Sequence, residues 1–110
     1  MILVNTDSLP GKDLQVLGMV KGFFVQSKHL GRDIISFFKS LVGGELKAYS
    51  ELLNESRERA TARMVAEAEK LGADAVVNIR YTSSQVMAGA AEILVYGTAV
   101  KIIDDRKERS

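Results

Sequence analysis

The spacing of apolar residues changes period along the chain, and each change marks the edge of an element. Residues 2–6 suit a short strand. Leu9-Pro10-Gly11-Lys12 fits a type II turn, because Pro presets φ at the second position and Gly accepts a positive φ at the third. Residues 14–25 are rich in strand formers, but their apolar parity switches between Val16 and Leu17, which predicts a bulge. Gly18 and Gly22 in this strand mark a bend or a close backbone approach. From Leu30 the period becomes helical: Leu30, Ile34, Phe37, Phe38 and Leu41 predict a short amphipathic helix that ends near Val42, where Gly43-Gly44 break it.

The strongest periodic signal covers residues 45–71. Leu46, Tyr49, Leu53, Ser56, Ala60, Met64, Ala68 and Leu71 follow steps of three and four and form one mostly apolar stripe. Lys70-Leu71-Gly72 closes this helix, with Gly in the left-handed conformation just past its end. At 1.5 Å per residue the helix spans about 40 Å, whereas a compact domain of this length is roughly 34 Å across. That excess predicts either a kink within residues 56–61 or an end covered by another subunit, and assembly is the favoured reading. Beyond Gly72 the period returns to two, with Ala75, Val77, Ile79 and Tyr81 expected on one face and Val76, Asn78, Arg80 and Thr82 on the other. Residues 83–90 read as a small-residue loop, and residues 92–103 as a strand apolar on both faces, as in a sheet centre or an interface. The sum is a β-β-α-α-β-β order: an α+β fold of two layers, with one antiparallel sheet carrying one short and one long helix on one face.

Composition narrows the function classes. With 110 residues, 46% hydrophobic and 26% charged, the chain fits a single domain over residues 1–103 with a charged, flexible tail at 104–110. There is no cysteine, which excludes disulfides, thiol catalysis and thiolate metal sites and makes the cytoplasm the expected compartment. Fifteen basic against fourteen acidic residues leave a net charge of +1, too small to concentrate polyanions, so nucleic acid is not an expected partner. No apolar run has the length of a membrane span, and the first residues lack the pattern of a signal peptide.

Chemistry-bearing residues are sparse. The sole histidine, His29, stands four residues before Asp33, where one helical turn would bring both to one face; with Glu45 they are the candidate ligands of a divalent metal ion. Two or three such donors do not complete a site unless a ring of subunits combines them, and a histidine at a helix entry beside a carboxylate is the competing reading. The turn Gly43-Gly44-Glu45 could present backbone N–H groups to an anion, but Glu45 would repel it. Phosphate-loop, dinucleotide, hydrolase and metalloprotease signatures are all absent, so no catalytic residue is assigned and enzymatic activity is not expected. Glu51, Glu55 and Glu58 read as a solvated flank, and Arg57, Arg59 and Arg63 are nearly cancelled by neighbouring glutamates. Glu92 and Tyr96 share one strand face, where burial would demand partners such as Arg63 or Arg80.

Several of these residues together resemble one family. Arg32-Asp33, Gly43-Gly44-Glu45 with Tyr49, Arg57, Ala60, Arg63-Met64, Leu71-Gly72-Ala73-Asp74-Ala75-Val76-Val77, and Glu92 with Tyr96-Gly97-Thr98-Ala99-Val100 resemble the YbjQ-like family of small uncharacterised proteins over residues 1–103. The resemblance implies a dodecin-like subunit assembling as a homopentameric ring, and it brings with it a heavy-metal-binding label. The expected function is therefore a non-enzymatic, homo-oligomeric cytoplasmic protein that binds a metal ion or small ligand between subunits. Two alternatives stay open. One is an enzyme whose site forms between subunits from Arg63, Glu92, Tyr96 and Arg32 or Asp33; the other is a scaffold that docks a protein partner on the helix at residues 34–42.

Overall fold

The computed structural model describes residues 1–25, 45–87 and 90–105. The short helix expected from Leu30 onward, with His29, Arg32 and Asp33, lies outside the described residues. The elements are β1 (Ile2–Leu3), β2 (Lys12–Val25), α1 (Glu45–Lys70), β3 (Ala75–Met87) and β4 (Ala90–Asp105). Four strands form one sheet in the order β1-β3-β4-β2, with α1 packed across one face. Among the described residues no helix is long and apolar enough to cross a membrane.

The sheet is mixed, which corrects the expectation of a wholly antiparallel one. β2–β4 and β3–β4 are antiparallel, but β1 runs parallel to β3, Ile2 opposite Ala75 and Leu3 opposite Val76. The expected turn does form: the Lys12 N–H donates to the Leu9 carbonyl at 3.1 Å and Gly11 has φ +75°. It does not make a hairpin of β1 and β2, however. The connecting segment instead lays Val4 and Leu9 on Ala75, Val77 and Val100, and β2 reaches the opposite edge of the sheet. Backbone bonds from Val4 to Val76 and from Asn78 to Thr6 carry the parallel contact beyond β1, so residues 2–6 do line β3.

Two bulges decide which side chains face α1. In β2, Val16 stands opposite Val100 and Gly18 opposite Ala99, leaving Leu17 as the extra residue where the apolar parity switched. In β3, Val77 stands opposite Thr98 and Arg80 opposite Tyr96, so Asn78 and Ile79 share the single partner Gly97. Asn78 takes φ 58°, a left-handed conformation that asparagine tolerates. The bulge breaks the strict alternation expected here: Val76 and Ile79 join the core under α1, whereas Ala75 and Val77 belong to the opposite face. Gly97 makes room for it, since an added Cβ would lie 2.7 Å from Val76 Cγ1.

The helical stripe is buried from Ser56 through Ala60, Met64 and Ala68, against Val20, Val76, Ile79, Ile93, Val95 and Ala99. Gly22 lets β2 touch the helix backbone, because a Cβ there would overlap the Ala60 carbonyl and the Met64 nitrogen. Leu71 leaves the stripe and is exposed. It sits at the helix end, where Ala73 N–H bonds to Ala68 O and Gly72 N–H to Glu69 O, with Gly72 at φ +77°. Such paired bonds satisfy the last carbonyls and turn the chain into β3. Asp74 then ties the junction to β4 by accepting the Ile102 N–H at 2.8 Å.

The β3–β4 pair is longer than expected. Residues 83–90, read as a loop, are mostly strand: Ser83, Ser84 and Gln85 stand opposite Ile93, Glu92 and Ala91, because a ladder of backbone bonds does not need apolar side chains. β4 likewise continues through Asp104 and Asp105, opposite Asp13 and Lys12, into the segment expected as a tail. The radius of gyration is 17.9 Å, against about 13 Å for a compact domain of this length. Long strands and the uninterrupted 26-residue α1 account for that extension.

Candidate functional site

The face of the sheet turned away from α1 is the first candidate. Strand alternation places Met19, Lys21, Phe23 and Val25 of β2 there, with Glu92, Leu94, Tyr96 and Thr98 of β4 and Arg80, Thr82 and Ser84 of β3. The register sets them in rows: Phe23, Leu94 and Thr82; Lys21, Tyr96 and Arg80; Val25, Glu92 and Ser84. Met19 is 74% exposed, Phe23 47% and Tyr96 37%, whereas Val20, Ile93 and Val95 on the helix-covered face are buried. Glu92, Tyr96 and Arg80 are thus brought to one face, with Arg80 directly opposite Tyr96.

Arg63 is not brought to them. It lies on α1, beyond the sheet, where its guanidinium donates to the Phe23 carbonyl at 2.8 Å. Glu67, four residues further along α1, accepts the Lys21 N–H at 3.4 Å. β2 is an edge strand, and these two side chains occupy backbone groups that would otherwise be open to another strand. Arg59 and Arg63 also flank the Phe24 ring at 5.4 and 5.5 Å, and Glu55 holds Arg59 at 3.0 Å. Within one subunit, then, an active site combining Arg63 with Glu92 and Tyr96 does not form, because the sheet separates them. Arg63 and Glu67 as covers of the strand edge were not foreseen: their spacing signalled only a helical ion pair.

A second candidate is an open groove of about 570 Å³ on the other flank of α1. Asn54, Arg57, Glu58, Thr61 and Ala62 line it from the helix and Tyr81 from β3. Thr61 Oγ1 donates to the Arg57 carbonyl at 2.7 Å, so the Tyr81 hydroxyl donates to Thr61 at 2.9 Å. Asn54 donates to Glu58 at 3.2 Å.

Of the candidate metal ligands, Glu45 opens α1, while His29 and Asp33 lie outside the described residues. Among the described residues no group of three or more His, Asp or Glu side chains could hold a metal ion.

Comparison with known proteins bears on this geometry. A family model described as "Putative heavy-metal-binding" matches residues 1–103. The chain is 66% identical over 103 residues to a UPF0145 protein of Alkaliphilus metalliredigens, covering 94% of this chain and 100% of the relative. It is 59% identical over 105 residues to a UPF0145 protein of Methanosarcina acetivorans, covering 94% and 99%. A crystal structure from Pediococcus pentosaceus, of a protein of unknown function in the DUF74 family, has the same fold with a TM-score of 0.66. Identity to it is 13%, with 94% of this chain and 98% of that one covered.

Proposed function

The chain belongs to the YbjQ-like family, and on that footing we propose that it is a non-enzymatic homo-oligomer, a pentameric ring of dodecin-like subunits in the cytoplasm, that binds a metal ion or small ligand between its subunits. The observation that carries the reading is the uncovered apolar face of the sheet. Met19, Phe23, Val25 and Tyr96 lie exposed on one side of a sheet whose other side is closed by α1. Large apolar side chains left exposed together on one face mark a contact with another molecule, and a second copy of the chain is the partner that the helix-length argument also favours. Covering this face would enclose Arg80, Glu92 and Tyr96, polar groups able to orient a small ligand.

For the metal, the donors are His29, Asp33 and Glu45. Imidazole and carboxylate suit a borderline or hard divalent ion, and a chain without cysteine lacks the thiolates that soft heavy metals take. The heavy-metal label supports metal binding in general and does not fit a soft ion here.

Native mass spectrometry, with elemental analysis of the same sample, tests the reading. The expected result is a mass of five chains that falls to one chain in Phe23→Ser, with a divalent ion lost in His29→Ala. A wild-type monomer overturns the assembly, and a pentamer holding neither ion nor added mass overturns the ligand.

A further inference from the structure

We propose that Arg63 and Glu67 guard the edge of β2: held across its outward backbone groups, they stop the β2 strands of two copies from pairing edge to edge. This is independent of the assembly reading, which concerns a face of the sheet rather than its edge.

The composition of β2 makes such a guard necessary. Leu14-Gln15-Val16-Leu17-Gly18-Met19-Val20-Lys21-Gly22-Phe23-Phe24-Val25 contains one charged residue and no proline, as in segments that pair readily with another strand. Among the described residues β2 has a strand partner on one side only, β4. In an antiparallel ladder, alternate residues turn both N–H and C=O toward the same side. The bonds at Lys21 and Phe23 place these two residues on the side away from β4. Two identical strands laid antiparallel about a twofold axis offer each other the same groups, so a second copy is the partner always at hand.

The guard fits because two periods match. Gly22 brings α1 to backbone contact with β2 at Ala60 and Met64. Arg63 and Glu67 are four residues apart on the helix, a rise of about 6 Å, and Lys21 and Phe23 are two apart on the strand, about 7 Å. The order is reversed: Arg63 takes Phe23 and Glu67 takes Lys21, so the helix runs against the strand and sets one side chain on each outward residue in turn. The chemistry matches as well. The guanidinium donates to the Phe23 carbonyl at 2.8 Å, and the carboxylate accepts the Lys21 N–H at 3.4 Å. Each residue then lacks one of the two bonds that a partner strand would make with it. The Arg63 guanidinium also lies 5.5 Å from the centre of the Phe24 ring, which holds it over the edge. Both residues are exposed, so their side chains can be removed without opening the core.

The test combines Arg63→Ala with Glu67→Ala in the full chain and follows sedimentation velocity over a range of concentrations. Alanine keeps the helix. The expected result is an assembled mass at least about twice that of the unaltered protein, rising with concentration, with amide exchange slowed at Lys21 and Phe23 in the larger species. Arg63→Lys with Glu67→Gln, which keeps a donor and an acceptor over the edge, should leave the mass as it was. Should the double alanine variant fail to fold, Glu67→Ala alone asks the same question. Exchange at Lys21 should then quicken roughly tenfold over the unaltered protein, while Gly22, which faces Val95 of β4, stays unchanged. A double alanine variant of unaltered mass overturns the proposal, as does an unchanged Lys21 rate in Glu67→Ala. So does growth in mass without protection at Lys21 and Phe23, which puts the new contact elsewhere, or equal growth in the lysine and glutamine variant.

Discussion

Both faces of this sheet carry large apolar residues, and the two end in different surroundings. On one, Val20, Ile93, Val95 and Ala99 are closed off by α1; on the other, Met19, Phe23, Val25 and Tyr96 remain open. The difference lies in what the chain can bring to each side. A small-residue stripe of Ser56, Ala60, Met64 and Ala68, aided by a glycine in the facing strand, packs α1 against one face at backbone contact. Among the described residues the far face receives only the segment between β1 and β2, and only at the end where Val4 and Leu9 sit. Hydrophobic composition alone therefore does not say which face is core; close approach of a complementary element does.

That contrast can be broken from the covered side first. Gly22→Val forces a branched side chain into the Ala60–Met64 backbone and should cost at least about 3 kcal/mol, read as a lower urea midpoint at unchanged slope. Met64→Ala opens a cavity at a fully buried position and should cost about 2–5 kcal/mol in the same experiment. The phase of β3 comes next: Asn78→Val places a β-branched residue at positive φ and should cost about 1–2 kcal/mol, while Asn78→Gly should cost far less. The open face gives the smallest effect on an isolated subunit. Phe23→Ser should lower stability by under about 1 kcal/mol in dilute solution, and the gap to the unaltered protein should widen as concentration rises. A large, concentration-independent loss there would show that the open face is closed within the subunit.

Much of this was readable from local signals. The Leu9–Lys12 turn, the Leu17 bulge, the close approach at Gly22 and the cap at Gly72 each depend on a few adjacent residues, and each was found. Pairing between distant segments was not. Nothing in Ile2 and Leu3 says that they lie parallel to β3, since parallel and antiparallel partners bury the same side chains. Asn78 hid its bulge because Val-Val-Asn-Ile-Arg-Tyr reads equally well as plain alternation, and the compensating Gly97 is on another strand. Ser83 and Ser84 read as loop because strand membership there comes from backbone bonds alone. Of the candidate sites, Glu92 with Tyr96 and Arg80 was legible from strand parity. The groove at Thr61 and Tyr81 was not, because it depends on where the helix axis crosses the sheet.

The strand order has one further consequence, for the time course of folding. Among the described residues β1 pairs only with β3 and β2 only with β4, so no strand in the first 25 residues has a strand partner until the chain beyond α1 has been made. Contacts of such long sequence separation form slowly, and on a growing chain the earliest segment to emerge is the last to be satisfied. The hairpin is the template, and its assembly runs against the direction of synthesis. Until it closes, the strand carrying Met19 and Phe23 is sheltered on neither face, which makes the interval before release the moment at which this chain most needs a chaperone.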